Sequence, residues 1–145
     1  MARTVTITFD AADPARLAEF WALALRYELE PPPPGYESWE HFADEKGIPP
    51  ENRNDGSAVV DPDGNGPRLL FLKVPEGKTA KNRMHLDVLV APKPDGPKSR
   101  EHMAVVQALA DELVAAGGTE VGPCSDFGST WIVMSDPEGN EFCVI

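Results

Sequence analysis

His85 and Asp87 stand two residues apart in the run Met84-His85-Leu86-Asp87-Val88-Leu89-Val90. In an extended segment, side chains two apart share a face. That brings an imidazole beside a carboxylate, the material of general acid–base chemistry, because histidine changes charge near neutral pH. Glu141 and Cys143 repeat the spacing in the C-terminal run Glu141-Phe142-Cys143-Val144-Ile145. Glu141 adds a second carboxylate, and a histidine with a cysteine makes half of a zinc site. Each residue also has a plainer use. His85 can simply be hydrogen-bonded, to Asp10 or Asp87. Asp87 can hold a loop through Asn82 or Arg83. Glu141 can be a surface residue at a rim, and Cys143 a small buried hydrophobe. His85, Asp87 and Glu141 are candidates for catalysis, and none is assigned a catalytic step.

These residues need elements to position them. Residues 4–10 alternate, with Val5, Ile7 and Phe9 apolar and Thr4, Thr6, Thr8 and Asp10 polar. The pattern predicts a strand whose apolar side packs on a helix and whose other side carries Thr6, Thr8 and Asp10. Asp13-Pro14 is a helix start, a capping carboxylate with proline at the first helical position. Leu17, Phe20, Trp21 and Ala24 then follow at helical spacing. Leu29 sits in a short apolar stretch suited to a second strand. The run Pro31–Pro34 ends regular structure, and a polar helical piece surrounds Trp39, Phe42 and Ala43. Ala58–Val60 and Arg68–Val74 read as strands, separated by Asp61-Pro62-Asp63-Gly64-Asn65, a turn in which Asp opens, Pro fixes φ and Gly closes.

The order then restarts. Residues 84–90 form a strand, with Met84, Leu86 and Val88 packed inward and His85 and Asp87 on the open side. A proline-rich loop covers 92–97. A helix with Ser99 as cap carries Val106, Leu109, Leu113 and Ala116, and Gly117-Gly118 stops it. Short strands follow near 119–121 and over Thr130–Met134. A second turn, Asp136-Pro137-Glu138-Gly139-Asn140, precedes the last strand. The two turns lie 75 residues apart. Such a repeat outweighs any single motif. It divides the chain into modules 1–78 and 79–145, with a lid-like excursion at 31–55, too long for a plain connection. Trp39 and Phe42 either close over a cavity or cap the core of that excursion, and Trp131 is a further aromatic candidate. The helical neighbours of His41 and His102 are charged, so both are expected to be exposed.

The segments Ala18-Glu19-Phe20-Trp21, Asp61-Pro62-Asp63-Gly64, Val74-Pro75-Glu76, Lys81-Asn82-Arg83-Met84-His85-Leu86-Asp87 and Asp136-Pro137-Glu138-Gly139-Asn140-Glu141-Phe142-Cys143 carry a resemblance. Together they resemble the vicinal oxygen chelate superfamily, the group of glyoxalase I, bleomycin-resistance proteins and extradiol dioxygenases. More narrowly they resemble the glyoxalase-like domain. The resemblance implies an α+β fold of two βαβββ modules, with curved mixed sheets around a shared cavity. In metal-dependent relatives four side chains, two per module, hold one divalent ion that chelates adjacent substrate oxygens. Here those positions fall on Thr6, His85, Cys143 and either Leu72 or Phe71, a set in which only the histidine and the cysteine are good donors. No cofactor is therefore expected, a divalent metal held through His85 being the alternative. The relatives' first helix usually ends Leu-Gly-Tyr, whereas this one reads Leu25-Arg26-Tyr27. Loss of that glycine predicts a different helix end, at a cost of up to ~1 kcal/mol.

The resemblance implies three functions. The first is binding of a small organic molecule between the modules without the usual metal, as in drug or metabolite sequestration. Thr6, Thr8, Asp10, Trp39, Phe42, Leu72, His85, Asp87, Trp131 and Cys143 would line that site. The second is a lyase or isomerase, with an atypical metal or none, using His85. The third is a structural or interaction domain. Composition narrows the partners. The 145 residues carry 13 basic and 24 acidic side chains, a net charge of −11. Nucleic-acid binders usually present a basic face, so nucleic acid is excluded, and a polybasic membrane anchor with it. No run approaches the ~20 apolar residues of a membrane span. Met1-Ala2-Arg3-Thr4 opens no signal-peptide core. A cytoplasmic protein is expected, monomeric or homodimeric. An anionic ligand would meet a repulsive field, with Arg68, Lys81 and Arg83 placed to offset it.

Overall fold

The computed structural model describes residues 1–90, 99–126 and 128–145. The proline-rich stretch at 92–97 lies outside them. The chain separates into two compact units, Met1–Gly77 and Lys78–Ile145.

In the first unit, β1 (Thr6–Ala11) leads into α1 (Pro14–Leu25), followed by β2 (Glu28–Leu29), α2 (Trp39–Lys46), one 3-10 turn (Pro50–Asn52), β3 (Gly56–Val60) and β4 (Arg68–Lys73). The Asp13 side chain accepts a hydrogen bond from the Arg16 N–H and starts α1. Leu17, Phe20, Trp21 and Ala24 are all buried, as their spacing requires. They pack on β3 and β4. Phe9 joins this core, with ring centroids 5.2 Å from Trp21 and 5.3 Å from Phe71. Val5 does not. It precedes β1 and is 67% exposed, because no paired neighbour carries the sheet that far.

The second unit repeats the plan with β5 (Asp87–Val88), α3 (Arg100–Ala115), β6 (Thr119–Asp126), β7 (Ser129–Ser135) and β8 (Glu141–Val144). The sheet orders correspond strand for strand: β1-β4-β3-β2 and β5-β8-β7-β6. In each, the first and last strands of the module run parallel and every other pair is antiparallel. Both sheets are therefore mixed, and the βαβββ repeat read from the two Asp-Pro turns is present. Those turns are built alike. Asp61 accepts from the N–H groups of Asp63, Asn65 and Gly66. Asp136 accepts from those of Glu138 and Asn140. Gly64 and Gly139 take positive φ, 70° and 85°, where a Cβ would be strained.

Three expectations are corrected in the second unit, one in the first, and one, on the two helix histidines, in both. The strand predicted over 84–90 contracts to Asp87–Val88, and Met84 is exposed while Val88 is buried. Ala110, not Ala116, completes the buried stripe of α3 with Val106 and Leu113. The strand expected near 119–121 runs on to Asp126. β6 is an edge strand, where a bulge between Glu120 and Gly122 accommodates Gly122 and Pro123. His41 and His102 are half-buried. His41 Nδ1 accepts from the Glu37 N–H, and the Nε2 atom of His102 is buried. In the first unit, α1 ends in the usual way after all. Arg26 itself adopts the left-handed conformation, φ 56°. The Tyr27 N–H bonds the Ala22 carbonyl at 2.9 Å and the Arg26 N–H that of Leu23 at 3.3 Å.

Candidate functional site

Burial alternates along β7, and the two-residue period of paired strands carries the faces across to β8. In the second unit Ile132, Met134, Phe142 and Val144 are buried, so the opposite face of β7 and β8 carries Trp131, Val133, Ser135, Glu141 and Cys143. Strand β5 lies beside β8 with Asp87 directly across from Cys143. The ladder continues one residue back, where the Cys143 N–H donates to the Leu86 carbonyl at 2.9 Å. His85 therefore falls on the face of Asp87.

Three of the residues singled out by spacing meet here. One donor atom from each of His85, Asp87 and Cys143 lies within 4.8 Å of the other two. His85 Nδ1 is 3.4 Å from Asp87 Oδ1, and both side chains are about half exposed. Cys143 is 7% exposed. Burial, followed by the neighbouring Asp87 charge and the hydrogen bond to it, pushes the thiol up to about 11. At neutral pH Cys143 is thus a thiol donating to a carboxylate and not a free thiolate nucleophile. Asp87 is the residue common to the group, accepting from the thiol and lying against the imidazole.

Glu141 belongs to another arrangement. Its carboxylate accepts from the Asn82 N–H at 2.9 Å and lies 3.2 Å from Lys78 Nζ. The Asn82 hydrogen bond above all holds its carboxyl down to about 2. It stays ionised throughout the neutral range, so it pins the 78–82 segment and has no proton to give. Lys78 has no signal in the sequence beyond its charge, and Asn82, a candidate partner of Asp87, bonds Glu141 instead.

In the first unit β1 presents Thr6, Thr8 and Asp10 as exposed residues. Parallel pairing sets them beside Arg68, Leu70 and Leu72 of β4. Arg68 is not available to an anion. Its guanidinium grips Glu30 with two bonds of 2.7 and 2.6 Å. Phe71, one of the two residues the resemblance allowed at the fourth ligand position, is fully buried on the helix side. Pairing also identifies the counterpart of Cys143. Asp87 faces Cys143 as Thr8 faces Leu70, and Gly66-Pro67 is the two-residue insertion that moves the register. Leu70 is the residue that sequence distance missed. Leu72 lies two residues further along the same face and is 41% exposed. The four positions implied for a shared metal are then Thr6, Leu70, His85 and Cys143. Leucine has no donor and a neutral threonine hydroxyl is a weak one, so this set does not fit the four-ligand centre.

The 31–55 excursion folds onto the first unit. Trp39 Nε1 donates to the Glu30 carbonyl at 2.7 Å, and the Trp39 and Phe42 rings meet edge to face at 5.5 Å. Tyr36 joins Phe42 at 5.0 Å. Arg53 bridges Glu40 and Asp44 of α2. Asn54 takes the Ala15 N–H and donates to Asp13, tying the far end to the start of α1. Trp39 keeps nearly half its surface exposed.

A sequence model of the glyoxalase-like domain matches residues 6–145. Among solved structures, the fosfomycin resistance protein FosX of Mesorhizobium loti aligns over 99% of this chain and 90% of its own, with a TM-score of 0.64 at 10% identity. A glyoxalase-related enzyme from Fulvimarina pelagi aligns over 99% and 87%, with a TM-score of 0.60 at 17% identity. A glyoxalase/bleomycin resistance protein/dioxygenase family enzyme from Burkholderia phytofirmans aligns over 97% and 94%, with a TM-score of 0.58 at 14% identity. At these identities the likeness is one of fold. A search of curated proteins found no match.

Proposed function

The chain belongs to the glyoxalase-like domain family of the vicinal oxygen chelate superfamily, and from that premise we propose that it binds a small organic molecule against the open faces of its sheets, without the family's four-ligand metal. The observation that carries this reading is the pairing of Thr8 with Leu70. It leaves an apolar side chain where a metal-dependent relative needs a donor. The faces offer what a small ligand uses instead: the Thr6 and Thr8 hydroxyls, the Asp10 and Asp87 carboxylates, the His85 imidazole, and Leu72 and Trp131 as apolar surface. Trp39 and Phe42 add an aromatic edge. The shared cavity and the sheet curvature expected from the sequence are part of this proposal, as is a cytoplasmic monomer or homodimer. Among the described residues no helix is long and apolar enough to cross a membrane.

One observation favours a second reading. His85 and Asp87 are 3.4 Å apart, the geometry of an acid–base pair, and lyase or isomerase chemistry would use it. Glu141 would take no part, since its carboxylate is already occupied.

A thermal-shift screen of metal-stripped protein tests the first reading, because a ligand of the native state raises apparent stability by mass action. Aromatic natural products and α-keto aldehydes are the compounds to screen. A hit whose affinity drops at least tenfold in His85→Ala or Thr8→Ala supports it. Hits that appear only after a divalent metal is restored would refute the metal-free form, and turnover of a hit would move the assignment to the second reading.

A further inference from the structure

We propose that His85, Asp87 and Cys143 of the second module form a three-donor site for a thiophilic divalent cation of the zinc class, confined to that module. The site shares His85 and Cys143 with the four-ligand centre that Leu70 disables, but takes its third donor, Asp87, from within the same module. It does not depend on the small-molecule reading.

Backbone register carries most of the argument. Asp87 and Cys143 are direct partners on adjacent parallel strands, a separation of about 4.8 Å between backbones. His85 precedes Asp87 by two residues and shares its face. Register and face thus direct the three side chains toward one another. Their donor atoms lie within 4.8 Å of one another, and His85 Nδ1 and Asp87 Oδ1 within 3.4 Å. A tetrahedral ion with bonds of roughly 2.0–2.3 Å holds its donors about 3.5 Å apart. Closing the remaining distance takes small side-chain rotations. The buried Cys143 is the fixed donor, while half-exposed His85 and Asp87 are the adjustable ones.

Donor chemistry sets the ion. Thiolate, imidazole and carboxylate together suit zinc, cobalt or cadmium, whereas magnesium and calcium seek oxygen ligands only. Binding breaks the Cys143 S–H bond, forms a metal–sulfur bond and releases that proton to the buffer. Three protein donors leave a fourth position open to water.

Cobalt(II) is the probe, because thiolate ligation produces a near-ultraviolet charge-transfer band that oxygen and nitrogen ligands do not. Untagged, reduced, metal-stripped protein is titrated with cobalt(II) alone. The band is expected to saturate at one equivalent and to bleach when zinc is added. It should survive in Cys124→Ser and vanish in Cys143→Ser. His85→Ala and Asp87→Asn should each raise the cobalt Kd at least tenfold. These two positions are half exposed, so the test holds even if Cys143→Ser perturbs folding. No band in the wild-type protein overturns the proposal, as does a band that persists in Cys143→Ser or disappears in Cys124→Ser. Organic ligands that still bind the metal-stripped protein leave the proposed function standing, so the two failures are separable.

Discussion

Arg26 is the residue that departs most plainly from what its position favours. Among the described residues it alone has positive φ without being glycine. The other two helices end with the same pair of hydrogen bonds but place Gly47 and Gly117 at the left-handed position. Arg26 is exposed, so its side chain contributes little packing to set against the backbone strain. Arg26→Gly is expected to stabilise the protein by about 0.5–1 kcal/mol, a Tm gain of roughly 1–4 °C. An unchanged or lower Tm would show that the side chain makes up for the strain. The two cysteines offer a second residue-level check. Cys143 is buried with its thiol pushed up to about 11, and Cys124 is exposed. At pH 8 only ~0.1% of a thiol with such a pKa is ionised. Iodoacetamide followed by mass spectrometry should label Cys124 at least ten times faster. Equal rates would contradict the environment assigned to Cys143.

The elements most legible in the sequence were those with a strong period and an explicit start and stop. Helix α1 is the best case, with Asp13-Pro14 in front and four apolar residues at helical spacing. Only its end was misjudged, because sequence records that glycine is missing and not that arginine will take its conformation. Strands β5 and β6 were read less well, and for opposite reasons. The apolar run 84–90 promised more strand than the ladder to β8 supports, while Gly122-Pro123 hid an edge strand that tolerates both. The Leu70 position was hidden by the Gly66-Pro67 insertion, which only strand pairing resolves. That insertion has its own physical reason. A Cβ on Gly66 would collide with the Tyr27 hydroxyl and come within 3.3 Å of Asp61 Oδ2. Gly66→Ala is expected to cost about 1–3 kcal/mol, as overpacking generally does. Adding Tyr27→Phe removes the colliding oxygen and should recover part of the loss in chemical denaturation. A Gly66→Ala protein as stable as the parent would mean that the turn and Tyr27 are not in this contact.

At the scale of the molecule, one plan is stated twice, and the two statements have diverged in what they display. The duplicated Asp-Pro turns made the plan visible before any coordinates. The first sheet shows hydroxyls and leucines, with Arg68 already taken by Glu30. The second shows His85, Asp87 and Cys143 together, with Trp131 on the same face of its sheet. Spacing alone could put His85 and Asp87 on one face. It could not say that Cys143 joins them or that Glu141 is bound to Lys78 and Asn82, because those contacts arise from pairing between segments far apart in the chain. The net charge of −11 acts on any ligand that approaches these faces, and it favours neutral or cationic molecules over anions. The central claim is that small-molecule binding here needs no metal. Isothermal titration of the strongest thermal-shift hit into protein held in excess chelator tests it directly. The expected result is saturable binding at one equivalent in chelator, at least as tight as in zinc-supplemented buffer, and weaker in Thr8→Ala or His85→Ala. Loss of binding in chelator, with recovery on adding metal, would contradict it.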